Sequence, residues 1–211
     1  MTGRPALQVL FCGVGGQGVL RAAELLGRAL FAAGKQVTVG QLHGMSQRGG
    51  SVSSFVIVGD TEAALLDRAP DVLVALEPLE GARAAAGLGR KTTVLLNTHQ
   101  VVPYERTRLR QGYPDPVELH ARIAARAGMI LSADVTGALA AAGLERAVGV
   151  AMLGALSRLD ALDGIGVAKD VVLAELGASA EGRRAFALGA ELPFGITNAS
   201  KETGDGPQAR H

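Results

Sequence analysis

The feature that most constrains this chain is a glycine-rich turn between a short apolar run and an amphipathic segment. The run Leu7–Cys12 is rich in β-forming residues and leads directly into Gly13-Val-Gly-Gly-Gln-Gly18. After this turn, apolar residues recur at helical spacing until Gly34, a pattern that predicts a strand, a tight turn and a helix. Glycines allow such a turn, and the helix that follows directs its first amide groups toward it. The sequence therefore predicts the first β–α unit of an α/β fold.

The same alternation continues along the chain. Further strands are predicted at 36–42, 53–58, 71–76, 92–97 and 129–133, and helices at 78–86, 117–127, 148–159, 167–176 and 183–190, with Asp134 placed to cap another. This order predicts the α/β class: a mostly parallel, Rossmann-like sheet with helices on both faces and a helical C-terminal part. We assign residues 1–195 to a single domain. Residues 196–211 are poor in apolar side chains and are predicted to form a flexible tail.

Composition disfavours several classes of partner. Lysine plus arginine total 21 and aspartate plus glutamate total 20, so the formal net charge is +1 and no basic field favours nucleic acid or an anionic membrane. No uncharged apolar run approaches the ~20 residues that span a bilayer, and residues 1–5 contain no long apolar stretch. These features predict a cytoplasmic protein that binds neither nucleic acid nor membrane.

Metal and redox chemistry have few candidate ligands in this chain. Cys12 is the only cysteine, whereas an iron–sulfur cluster takes about four. The histidines at positions 43, 99, 120 and 211 are scattered, so no metal site is predicted. No spacing indicates a Ser-His-Asp or Cys-His nucleophile, and the catalytic residues therefore stay unknown at this level.

The glycine-rich turn satisfies the dinucleotide-binding pattern G-x-G-x-x-G through Gly13, Gly15 and Gly18, with Gly16 as an additional glycine. In nicotinamide-binding proteins the second strand ends in a carboxylate that holds a ribose hydroxyl. Here that strand ends in Val39-Gly-Gln-Leu-His43, with neither Asp nor Glu, which disfavours a free-standing nucleotide-dependent enzyme. The turn is interpreted either as a phosphate-binding loop or as a packing turn that binds no ligand.

A second glycine-rich segment, His43–Val52, lies between two predicted strands. It combines His43 and Arg48 with the glycine pair Gly49-Gly50, although a plain connection needs neither a histidine nor an arginine. The guanidinium group offers a fixed fork of donors for a phosphate or a carboxylate. In an α/β sheet this loop leaves a strand's carboxyl end beside the glycine-rich turn, where ligands bind. The alternative is a surface loop that docks on a partner subunit with Arg48 as its anchor, and both interpretations can hold together.

The two segments together resemble a known family. Gly13-Val-Gly-Gly-Gln-Gly18 followed by His43-Gly-Met-Ser-Gln-Arg-Gly-Gly-Ser-Val52 resembles the gamma-type domain of 2-oxoacid:ferredoxin oxidoreductases. The second motif is similar to the form found in beta subunits of indolepyruvate ferredoxin oxidoreductases. The resemblance continues through Asp71–Glu80, Tyr113-Pro114 and Met152–Leu156 and covers about residues 7–190.

This resemblance implies a small subunit that is inactive alone. A large partner subunit would hold thiamine diphosphate and [4Fe–4S] clusters, and this chain would bind no cofactor tightly. The complex would convert an aryl 2-oxoacid such as indolepyruvate, with coenzyme A as co-substrate, to acyl-CoA, CO₂ and reduced ferredoxin. The candidate contacts for coenzyme A are the following residues: Gly13, Gly15, Gly16, Gln17, Gly18, His43, Arg48, Gly49 and Gly50.

Two alternatives stay open within this family. The chain is either a gamma subunit for another 2-oxoacid (pyruvate, 2-oxoglutarate or a branched-chain acid) or a purely structural subunit whose loops dock on the large chain. An apolar surface patch is expected where the large subunit sits, because monomers seldom expose much contiguous apolar area. When the chain is isolated, the same patch is expected to support a homodimer.

Overall fold

The computed structural model describes residues 7–43, 50–59, 68–102, 112–164 and 169–198, and these form one seven-stranded sheet. Its strands in spatial order are β2, β3, β1, β4, β5, β6 and β7. They span the following residues: β1 Leu7–Val14, β2 Val37–His43, β3 Ser51–Val58, β4 Val72–Ala75, β5 Thr93–Asn97, β6 Met129–Ala133 and β7 Gly195–Asn198.

Helices cover both faces of this sheet. The α-helices are α1 Val19–Ala32, α2 Pro78–Ala84, α3 Pro116–Ala124, α4 Val135–Ala141, α5 Val148–Leu156, α6 Asp160–Asp163, α7 Lys169–Glu175 and α8 Ala180–Glu191, and short 3₁₀ turns occupy Ala85–Gly87 and Glu145–Ala147. One face packs against α1 and α5, with α8 packed on α5, and the other face packs against α2 and α3. Over the described ranges, no helix combines the length and apolar character needed to cross a lipid bilayer.

The predicted α/β fold is confirmed, and the sheet is parallel through its centre. Strands β1, β4, β5 and β6 run parallel to their neighbours in this group. Strand β3 runs antiparallel to both β1 and β2, and β7 runs antiparallel to β6. Because β2 and β3 are joined by a short connection, they form a hairpin rather than a parallel crossover unit. Strand β3 therefore begins beside the last residue of β1, at the carboxyl end of the parallel strands.

The last strand extends the sheet into the segment predicted to be a tail. Strand β7 pairs with β6 from Gly195 to Asn198, and all of its residues are exposed. The sheet thus continues past residue 195, where the sequence places the end of the domain. The rest of the predicted tail, 199–211, lies outside the described residues.

Close packing of α5 on α8 depends on two glycines. A Cβ atom added at Gly154 would lie 2.0 Å from the Phe186 carbonyl oxygen, and one at Gly189 would lie 1.8 Å from the Ala151 carbonyl oxygen. Both obstacles are backbone atoms, which cannot move aside as a flexible side chain does. Helix α5 is buried along its whole length, so this contact fixes the helical layer that supports α1.

Candidate functional site

The glycine-rich turn sits at the carboxyl end of β1 and opens into α1. Gly16 has φ 107° and Gly18 has φ 84°, conformations that side chains with a Cβ rarely adopt. No side chain caps α1, and its first turn carries no acidic residue. The first amide groups of this helix are therefore available to an anion, which the helix dipole also favours.

Gln17 braces the turn from inside. Its Oε1 accepts a hydrogen bond from the Val14 amide at 2.7 Å, and its Nε2 donates to the Leu76 carbonyl oxygen at 3.0 Å. Both ends of the side-chain amide are thus engaged by backbone at the ends of β1 and β4. Gln17, which the sequence predicts as a contact for coenzyme A, therefore stabilises the turn itself. Its contact with a ligand stays a prediction.

Replacing Gln17 with alanine is expected to lower the free energy of unfolding by about 1–3 kcal/mol, because the Val14 amide loses its partner and the Leu76 carbonyl oxygen keeps only the bond from Asn97 Nδ2. The measurement is denaturant unfolding of the purified chain. Gln36→Ala is the matched control, since Gln36 is exposed and its replacement should change stability by less than about 0.5 kcal/mol. Equal effects of the two substitutions would contradict the bracing role.

Gly50, the residue before β3, meets the glycine-rich turn directly. The Gly15 amide donates to the Gly50 carbonyl oxygen at 2.8 Å, and Val14 pairs with Ser51 in the sheet register. Of the predicted site residues, Gly50 thus lies against the turn that holds Gly13, Gly15, Gly16, Gln17 and Gly18. Residues 44–49, with Arg48 and Gly49, and the side chain of His43 lie outside the described parts of the structure.

The crevice between β1 and β4 is filled by the protein's own carboxyl groups. This is the switch point of the sheet, since α1 and α2 leave these strands on opposite faces, and ligands commonly bind there. Glu77 is the N-cap of α2 and accepts from the Glu80 amide at 2.9 Å. Both residues are buried, at 0% and 2% exposure. An anionic ligand is therefore directed to the amino end of α1 rather than to that of α2.

Glu77 also holds Tyr113 at the switch point. The Tyr113 hydroxyl donates to Glu77 Oε1 and accepts from the Leu79 amide at 3.2 Å. Burial raises the pKa of the Glu77 carboxyl, and the hydrogen bonds from Tyr113, Glu80 and Val101 partly oppose this. Burial, then the bond to Glu77, also raises the pKa of the Tyr113 hydroxyl, which keeps it a proton donor at neutral pH.

Glu80 links α2 to the start of β3. The Ser51 hydroxyl donates to Glu80 Oε2 at 2.5 Å, and Arg83 Nη1 donates to Glu80 Oε1 at 2.6 Å. Glu80 ends the segment Asp71–Glu80 that resembles the family, but these contacts were not predicted from the sequence. The available signal was the Glu-Pro-Leu-Glu run, since proline at the first helical position and acids around it mark a helix N-terminus.

Cys12 lies beneath these carboxyl groups at the end of β1. Burial raises the pKa of its thiol, and the nearby Glu80 and Glu77 raise it further. The thiol is therefore kept protonated and is a poor nucleophile. Across the described ranges, no three His, Cys, Asp or Glu side chains converge to hold a metal ion.

A cavity of about 270 Å³ opens beside the glycine-rich turn. It lies between Gly18 at the start of α1 and the first turn of α5, where the Gly149 amide donates to the Gln17 carbonyl oxygen at 3.3 Å. Two arginines, Arg21 and Arg146, line it together with Glu145 and Glu181. Guanidinium groups and open helix amides suit phosphate groups, and the glutamates restrict where an anion can sit.

Comparison with known proteins identifies the family. The family model described as pyruvate ferredoxin/flavodoxin oxidoreductase matches residues 8–192, which is most of the chain. The chain belongs to this family. The predicted role as a gamma-type small subunit of a 2-oxoacid:ferredoxin oxidoreductase is thereby confirmed.

Curated relatives of this chain are named as subunits of oxidoreductases. Indolepyruvate oxidoreductase subunit IorB of Methanothermobacter thermautotrophicus is 32% identical over 148 residues, which are 70% of this chain and 76% of the relative. The subunit of the same name from Archaeoglobus fulgidus is 41% identical over 114 residues, 54% of this chain and 57% of the relative. The pyruvate/ketoisovalerate oxidoreductases common subunit gamma of Thermococcus litoralis is 34% identical over 98 residues, 44% of this chain and 53% of the relative.

Solved structures of oxidoreductases share the fold of this chain. Pyruvate oxidoreductase subunit PORC of Thermotoga maritima matches with a TM-score of 0.59 at 23% identity. This match covers 93% of the present chain and 100% of the PORC chain. The 2-oxoglutarate:ferredoxin oxidoreductase of Magnetococcus marinus, solved with 2-oxoglutarate, coenzyme A and succinyl-CoA, has a TM-score of 0.67 at 16% identity. That match covers 89% of this chain and 31% of the other.

Proposed function

We propose that this chain is the small subunit of an indolepyruvate-type ferredoxin oxidoreductase. The complex oxidises an aryl 2-oxoacid in the presence of coenzyme A, releases CO₂, forms the acyl-CoA thioester and passes the electrons to ferredoxin. Relatives named for indolepyruvate align over 70% and 54% of this chain and the pyruvate/ketoisovalerate subunit over 44%, which supports this substrate class over pyruvate.

The observation that carries the proposal is the open amino end of α1 next to Gly50. The uncapped amides at Gly18, the contact of Gly15 with Gly50 and the cavity lined by Arg21 and Arg146 form one region suited to phosphate groups. Coenzyme A carries such groups. In this proposal the glycine-rich turn and Arg48 bind its phosphates, while thiamine diphosphate and the [4Fe–4S] clusters belong to the large subunit.

The edge of the sheet offers a docking surface for that large subunit. Phe31 on α1 is 75% exposed, and Val39 and Leu42 on the edge strand β2 are each 40% exposed. Strand β2 ends at His43, so this apolar edge leads straight to the connection that approaches the glycine-rich turn. A large subunit that covers Phe31 and Leu42 would meet coenzyme A at the same edge.

The test is purification of the chain alone and after co-expression with a large subunit that carries cluster-spaced cysteines. Because the sequence contains one cysteine, the chain alone should lack iron–sulfur absorbance and should not reduce ferredoxin or viologen dyes with indolepyruvate and coenzyme A. The co-purified complex should do both. Turnover by the isolated chain, or a large subunit that never co-purifies, would overturn the proposal.

Phe31→Ser tests whether the exposed apolar residues on α1 and β2 bind the large subunit. The substitution removes an exposed aromatic anchor, so the yield of complex should fall while the melting temperature of the chain stays within about 2 °C. Val117→Ser is the matched control, because Val117 is 73% exposed on α3 at the other face of the sheet. An unchanged yield with Phe31→Ser would remove this surface from the proposal.

A further inference from the structure

The Ser51 hydroxyl is bonded to an otherwise hidden carboxylate. Ser51 is exposed at the start of β3, yet its Oγ lies 2.5 Å from Oε2 of Glu80, a residue that is only 2% exposed. The second oxygen, Oε1, accepts from Arg83 at 2.6 Å. A buried carboxylate is costly unless both oxygens have partners, and here Ser51 supplies one of them.

This bond lies one residue from the contact between the two glycine-rich segments. The residue before Ser51, Gly50, accepts the hydrogen bond from the Gly15 amide. At its other end, Glu80 is fixed in the first turn of α2, where its own amide donates to Glu77 at 2.9 Å. A rigid helix on one face of the sheet therefore holds the hairpin at the point where it approaches the turn.

We propose that Glu80 is a positioning residue, which acts through the Ser51 hydroxyl to hold Gly50 against the glycine-rich turn and so preorganises the coenzyme A site. The inference rests on the proposed function, since it assumes that coenzyme A binds at this turn. Neither Ser51 nor Glu80 touches the ligand in this account. Their contribution is to reduce the ordering that binding would otherwise require.

The sheet itself does not depend on the Ser51 side chain. Strand β3 is paired along its length with β1 on one side and β2 on the other, so its backbone stays in place without the hydroxyl. Loss of the hydroxyl leaves Glu80 Oε2 without this partner, which should lower the global stability modestly. Positioning predicts, in addition, weaker binding of coenzyme A and a loss of local order at Gly50. This difference separates positioning from a merely structural role.

The test uses Ser51→Ala in the assembled enzyme with coenzyme A as the varied substrate. Loss of one hydrogen bond predicts a KM for coenzyme A that is raised by about 3- to 10-fold, with kcat changed by less than about twofold. Hydrogen exchange at Gly50 and Ser51 should quicken. Ser51→Thr retains the hydroxyl and should restore the wild-type KM. The control is Ser157→Ala, which removes a comparable hydroxyl bond, to the Gly154 carbonyl oxygen at 2.7 Å, elsewhere in the fold.

The outcomes separate this inference from the proposed function. A wild-type KM in Ser51→Ala, together with a raised KM in Arg48→Ala, overturns the positioning role and leaves the coenzyme A site in place. Quickened exchange at Gly50 without a change in KM also overturns it. A wild-type KM in both variants overturns the placement of coenzyme A itself. A raised KM that Ser51→Thr does not restore would rule out the hydroxyl bond as the cause.

Discussion

Replacing Arg48 with alanine is expected to weaken coenzyme A binding to the assembled enzyme by about 10- to 150-fold. A charge-assisted bond to a phosphate contributes roughly 1.5–3 kcal/mol, and this range converts to that loss of affinity. The measurement is the coenzyme A dissociation constant of the complex, with its melting temperature recorded in parallel. The melting temperature should stay near the wild-type value, because Arg48 lies outside the apolar pattern of the core.

The same variant tests the docking alternative. If Arg48 anchors the large subunit instead, the yield of complex should fall while coenzyme A affinity is retained in the complex that forms. Arg90→Ala is the matched control, because Arg90 is exposed just before β5, at the amino ends of the parallel strands and so away from the glycine-rich turn. Wild-type affinity, complex yield and melting temperature in Arg48→Ala would contradict both roles of this residue.

Gly154→Ala is expected to lower the free energy of unfolding by about 3 kcal/mol, which corresponds to a fall in melting temperature of roughly 6–12 °C. The new methyl group would lie 2.0 Å from the Phe186 carbonyl oxygen, so α5 and α8 must separate. Thermal unfolding of the isolated chain is the measurement. Because α5 also packs against α1, the glycine-rich turn should lose order as well.

Gly87→Ala is the control for the steric conflict between α5 and α8. A Cβ atom at Gly87 meets no atom within 4 Å, so the same change of residue adds no close contact. Its melting temperature should match the wild type or rise slightly, since alanine restricts the unfolded chain. Similar losses of stability in the two variants would show that steric conflict between α5 and α8 is not the cause.

Local features of the chain were predictable where the cause is local. The strand at 129–133 matches β6, and Asp134 caps α4 by accepting from the Gly137 amide at 2.7 Å. Both follow from short-range patterns, namely an apolar run and an acceptor side chain directly before a helix. The glycine-rich turn was recognised for the same reason, because its glycines and the following helix are contiguous in sequence.

Other features depend on contacts between distant segments. Gly154 and Gly189 are ordinary small residues in the sequence, and only the crossing of α5 and α8 makes them necessary. The bracing role of Gln17 required the end of β4 to be in place, and the bond from Ser51 to Glu80 joins residues 29 positions apart. The periodicity of β3 also carries no information about strand direction, so its antiparallel pairing was not foreseen.

The β2–β3 hairpin at one edge of the sheet lets members of this protein family differ in sequence without a change of fold. The hairpin contributes the edge strand β2 and its neighbour β3, and β3 begins beside the last residue of β1. Insertions or exchanges between β2 and β3 should leave the strand register and the helical layers unchanged, because connecting segments tolerate such changes. Under the proposed function, exchanging residues 44–49 between relatives should therefore exchange their preference for the large subunit while each chain keeps its own fold.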